Sequence, residues 1–156
     1  MSRLREGTRY ETRPAPDEVL LPEQSSGAAP AILRTVGAVA VLVVGAVHLQ
    51  QYLADSYSTV PVIGPLFALN FAGATVIGLG LLVPAAWLWR VRVLLALGGI
   101  GLAATSFVFL FVSESRPLFG FQEHGYRAAI VIALVAEAVA VVALAGYLAA
   151  RARRRV

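Results

Sequence analysis

A chain of 156 residues that is 58% hydrophobic and only 14% charged, with a mean hydropathy of +0.75, has the composition of an integral membrane protein and not of a water-soluble domain. Cysteine is absent, which excludes disulfides, thiolate metal sites, iron–sulfur clusters and dithiol redox exchange. The net charge of +4 rests on arginine alone, with no lysine to form a Schiff base, and no basic face interleaved with aromatics suggests nucleic acid as a partner.

Residues 1–30 mix charge, proline, serine and glycine without apolar periodicity, so they bury too little surface to offset their chain entropy. They are expected as a disordered cytoplasmic tail. Residues 31–150 then read as one membrane domain, with apolar spans at about 31–53, 60–83, 93–112 and 126–147. Each is long enough to cross a bilayer as a helix, which satisfies its own backbone amides in lipid. Short connections between them predict an all-α fold, an antiparallel up-down-up-down bundle of four transmembrane helices.

The first span reads as an uncleaved anchor, because about thirty polar residues precede it and its flanks lack a convincing cleavage site. Arginines set the expected orientation. Eleven of the thirteen lie on one face: Arg3, Arg5, Arg9, Arg13 and Arg34, then Arg90 and Arg92, then Arg151, Arg153, Arg154 and Arg155. Only Arg116 and Arg127 lie on the other, which predicts a cell-membrane protein with both termini cytoplasmic. Trp87 and Trp89 mark the inner boundary, and Tyr52, Tyr57, Phe119, Phe121 and Tyr126 the outer one. The basic tail at residues 151–156 is expected to rest against anionic headgroups.

Polar groups inside the spans carry the functional signal, since in lipid they turn toward protein or water. On the first span His48, Gln51, Tyr52 and Asp55 follow at i, i+3, i+4 and i+7 and share one helical face. Asn70 on the second span and Thr105 and Ser106 on the third fall near the depth of His48. Glu137 stands near the middle of the last span, where an ionised carboxylate is costly. Glu123, Tyr126, Ile130 and Glu137 share a face of the fourth helix and its outward extension, with Ile130 as an apolar gap.

Two readings follow. In the structural one, a protonated Glu137 donates to Asn70, Ser106 or a backbone carbonyl, and His48 pairs with Gln51 or Asp55. In the functional one, these side chains line an extracytoplasmic cavity in which His48 and Glu137 bind a proton, a cation or the polar head of an amphiphile. Gln51, Tyr52, Asp55, Asn70, Ser106, Glu123 and His124 complete that candidate set.

No cofactor is predicted. A haem or metal site is the minor alternative, because His48 and His124 are the only histidines, with Glu123 or Asp55 to complete it. Their offset in depth is about 10 Å, and no single element carries ligand spacing. Catalytic residues are not assigned, since the loop serines lack a nucleophile elbow or an oxyanion motif. Small residues at Gly73, Ala74, Gly78 and Gly80, and at Gly98, Gly99, Gly101, Ala103 and Ala104, predict close helix contact within the bundle, with a dimer face as the alternative. Gly64-Pro65, one turn after Pro61, predicts an irregular helix start with unpaired carbonyls beside His48, forming a wall of the pocket.

The stretch from His48 through Asp55, then Tyr57, then Pro61-Val-Ile-Gly-Pro-Leu-Phe-Ala-Leu-Asn70 resembles the first-to-second-helix region of small uncharacterised four-helix integral membrane proteins of actinobacteria. Exclusive use of arginine fits such a source. The resemblance implies the bundle and no particular reaction.

The functional classes rank in a definite order. First comes a binding or accessory bundle whose partners are membrane lipids, a companion membrane protein or a second copy of the chain. A small proton-coupled transporter using Glu137 comes second. An enzyme comes last, because the sequence announces no cofactor for it.

Overall fold

The structure is a computed structural model and describes residues 28–54, 57–117, 119, 120, 122 and 127–154. Four helices dominate: α1 (Ala28–Ala54), α2 (Ile63–Leu82), α3 (Trp89–Ser115) and α4 (Ala128–Ala152). Single 3-10 turns at Tyr57–Thr59 and Ala86–Leu88 join α1 to α2 and α2 to α3. No strand occurs among the described residues, so the all-α four-helix reading holds. Asp55, Glu123, His124 and Tyr126, and residues 1–27 of the tail expected over residues 1–30, lie outside the described residues, while residues 28–30 of that tail form the first turn of α1.

Local sequence explains most boundaries. Proline at position 30 falls in the first turn of α1, where its missing N–H is not needed. Leu82 ends α2 two residues before Pro84, and Arg116, extended at φ −160° and ψ 154°, ends α3 directly before Pro117. α3 begins at Trp89, four residues earlier than hydropathy indicates, because Arg90 and Arg92 are helical despite their charge. Long arginine stems lie along apolar surface while their heads reach polar groups.

The start of α2 is the least regular part of the fold. Residue 65 is proline, so the Pro61 carbonyl has no N–H four residues ahead. That carbonyl instead accepts from Ile63 N at 2.8 Å, closing a three-residue turn about Val62 at φ 69° and ψ −50°. Val60 O and Val62 O accept from Gly64 and Leu66. The unpaired carbonyls expected from Gly64-Pro65 are therefore paired, at the cost of a left-handed β-branched residue.

In the bundle α1 packs most extensively, against α4 on one side and α2 on the other, while α2 and α3 are the most loosely joined of the adjacent pairs. The tight contacts come from small residues. A Cβ at Gly37 would stand 2.5 Å from Leu144 Cδ2, and one at Gly78 would stand 2.5 Å from Leu42 Cγ and 3.1 Å from the Ala38 carbonyl. Ala38, Val41, Ala140 and Leu144 are fully buried between them. Gly37 and Gly78 thus serve contact within the bundle. Outward faces carry Leu69, Val76, Leu94 and Val142, all largely exposed.

Arginines close the end of the bundle that holds the α2–α3 connection. Arg34 Nη1 on α1 donates to the Leu81 carbonyl at 2.6 Å, and Arg92 Nη2 donates to Val83 O at 2.5 Å. Both satisfy carbonyls that the end of α2 would leave unpaired. Arg90 and Arg151 lie over the Trp89 ring, 5.1 and 5.5 Å from its centre.

Candidate functional site

The opposite half of the bundle encloses a cavity of about 460 Å³, lined from all four helices and the α1–α2 connection. Its polar groups are His48 and Gln51 from α1, Asn70 from α2, Thr105, Ser106 and Ser113 from α3, and Glu137 from α4, with the Tyr57 hydroxyl from the connection. At about 1.5 Å per residue, His48, Asn70, Ser106 and Glu137 lie roughly 9 to 14 Å in from the helix ends on this side, in one layer.

That layer is joined by hydrogen bonds across three helices. His48 Nδ1 donates to the Val44 carbonyl one turn back on α1, at 2.8 Å. His48 Nε2 lies 3.0 Å from Ser106 Oγ on α3, and Asn70 Nδ2 on α2 donates to the same Oγ at 3.5 Å. Ser106 also neighbours the Glu137 carboxyl on α4. Glu137 is only 2% exposed, and its Oε2 has no hydrogen-bond partner; neither has Asn70 Oδ1.

Aromatic and cationic groups cover the end of the cavity nearest the α1–α2 connection. Phe67 meets the His48 ring edge-on at 4.9 Å and stacks on Tyr57 at 4.9 Å. Arg127, itself extended at the N-terminal boundary of α4, donates from Nη2 to the Tyr57 hydroxyl at 2.6 Å and to Gln51 Oε1 at 3.1 Å. Its guanidinium also lies 5.7 Å from the centre of the Tyr57 ring. This strap ties α4 to α1 and to the connection. Between α2 and α3, by contrast, the lining residues Leu69, Gly101, Thr105 and Phe109 are themselves exposed, so the cavity opens sideways there.

His48, Gln51, Asn70, Ser106 and Glu137, five of the candidates read from sequence, come together in this one cavity. Tyr52 does not; it sits half-buried on the last turn of α1, outside the lining. The partners foreseen for His48 differ from those it has: Gln51 holds Arg127 and Gln50, while His48 turns to Val44 and Ser106. Both histidine nitrogens are thereby engaged, and no cluster of three metal-ligating side chains occurs among the described residues. In the sequence Arg127 and Tyr57 stand out only as topological and interfacial markers. Their one signal was position, since Arg127 directly precedes a span on the arginine-poor face.

Four helices of 20 to 27 residues, each apolar enough to cross a membrane, define the class as a multi-pass helical membrane protein. No known protein family, curated protein or solved structure matches the chain.

Proposed function

We propose that this protein is a membrane-embedded binding bundle, and that the cavity around Ser106 receives an amphiphile from the surrounding lipid. The observation that carries this reading is Glu137 Oε2, a buried carboxyl oxygen without a partner in the wall of an otherwise mostly apolar cavity. A purely structural carboxyl in lipid would have both oxygens engaged, because an unsatisfied buried acceptor costs about 1–3 kcal/mol. Leu66, Phe67, Leu69, Phe109, Leu110 and Ile130 supply the apolar lining for a tail. The arginine count orients the cavity toward the extracytoplasmic side.

Proton-coupled transport through Glu137 is the second reading, and the adjacency of Glu137 to the Ser106–His48 pair favours it. It also needs a route beyond the carboxyl, where the helices are packed by Val41, Ala140 and Leu144, all fully buried. A cavity closed at that end suits binding better.

The test uses Gly101, which lines the cavity and where an added Cβ meets nothing within 4 Å. Gly101→Leu is expected to fill the opening while leaving the fold intact. Native mass spectrometry after extraction in mild detergent should show a retained lipid-sized adduct on the wild type and at least about tenfold less on the variant. No adduct on the wild type, or equal adducts on both, would refute the binding reading.

A further inference from the structure

The hydrogen-bonding capacity of the cluster limits what the occupant can be. The Val44 carbonyl only accepts, so His48 Nδ1 carries a hydrogen, and Nε2 of the neutral ring accepts from the Ser106 hydroxyl. That uses the single hydrogen of Ser106. Asn70 must then present its N–H to Ser106 Oγ, which turns Oδ1 away. Two groups are left over, Asn70 Oδ1 and Glu137 Oε2. The amide oxygen accepts, and the carboxyl oxygen accepts once Glu137 is ionised; both belong to side chains beside Ser106.

Charge narrows the choice further. The titratable groups lining the cavity, among the described residues, are His48 from α1, Tyr57 from the connection and Glu137 from α4; α2 and α3 supply none. The nearest arginine, Arg127, is engaged with Gln51 and Tyr57 at the end of the cavity and does not line it. An anionic head would meet two bare acceptors and no cation. An alcohol brings a single hydrogen. A protonated primary amine brings three, together with the charge that an ionised Glu137 requires.

We propose that the cavity binds a single-chain hydrophobic amine as its ammonium ion, with N–H groups on Glu137 Oε2 and Asn70 Oδ1, in exchange for the carboxyl proton of Glu137. This rests on the reading of the cavity as a ligand site. In the exchange the Glu137 O–H bond breaks and its proton leaves to water, while the carboxylate pairs with the incoming ammonium. One positive charge enters as another leaves, so no uncompensated charge is buried. Ser106 then turns its hydroxyl to the carboxylate, and His48 Nε2 becomes the acceptor for the third ammonium hydrogen.

The full chain in lipid nanodiscs tests this with radiolabelled dodecylamine, dodecan-1-ol and dodecanoate near neutral pH, each corrected for empty discs. Proton release is read with an indicator dye in weak buffer. Dodecylamine is expected to bind with close to one proton released per amine bound, dodecan-1-ol about tenfold or more weaker with no release, and dodecanoate not at all. Glu137→Gln should lower amine binding at least about tenfold and abolish proton release. Equal binding of amine and alcohol, amine binding without protons, or an unaltered Glu137→Gln would overturn the amine assignment and leave the pocket standing. Absence of all three probes above the empty discs would overturn the pocket itself. The proton count on the wild type decides the matter even where the variant does not fold.

Discussion

Ser106 has the smallest side chain in the polar cluster, yet three helices meet on its oxygen. Replacing it with alanine would leave His48 Nε2 without a donor and Asn70 Nδ2 without an acceptor, in surroundings where neither finds bulk water readily. Ser106→Ala is therefore expected to lower stability by about 1–2 kcal/mol, read as an earlier midpoint in denaturant unfolding followed by circular dichroism. An unchanged midpoint would mean the cluster is not formed. At this scale the sequence was informative about identity and a poor guide to the pairing of His48. His48, Asn70, Ser106 and Glu137 stand out because polar residues are scarce in the spans. Their pairing is not readable, because it depends on how α1 and α3 are rotated against each other. The choice of Val44 over Gln51 has a local cause: helical side chains lean toward the N-terminus, which carries the imidazole back over the preceding turn.

Among elements, the α1–α2 connection decides the shape of the cavity. Gly64 lies against it so closely that an added Cβ would stand 2.8 Å from the Tyr57 carbonyl and 3.1 Å from that of Ser58. Backbone atoms have no rotamer to escape into, so Gly64→Ala should displace the 3-10 turn and cost about 1–3 kcal/mol. The same variant should loosen the Arg127 strap on Tyr57, seen as faster amide exchange over residues 57–60. Wild-type stability and exchange would contradict the packing. The prolines announced an irregular helix start here, correctly. What they did not announce was the turn at Val62 that pairs the Pro61 carbonyl, since that solution depends on φ at a valine that propensity would not place in the left-handed region.

For the molecule as a whole, an even number of antiparallel spans puts the outer ends of α1 and α4 on one side, and the arginine excess beside them predicts that this side is the cytoplasm. A fluorescent-protein fusion at the C-terminus should glow and an alkaline-phosphatase fusion there should be inactive; the reverse pattern would invert the topology. Four spans and their order were legible from hydropathy alone, because length and composition decide them. The loosened α2–α3 pair was not. Both helices are apolar on nearly every side, so no polar face marks which surface meets lipid and which meets protein. The small residues of α3 divide between the two: Gly99 packs against Leu144 and Ile77, whereas Gly101 faces open space beside the cavity.

On the proposed binding reading, the sideways opening between Leu69 and Phe109 changes the concentration scale on which occupancy is reckoned. A guest that arrives through the hydrocarbon is counted per lipid molecule and not per litre of buffer. Diluting a membrane suspension with water would leave such a guest in place once it has partitioned fully, while adding empty vesicles would draw it out. Titrations in micelles and in bilayers then agree only when expressed as mole fraction.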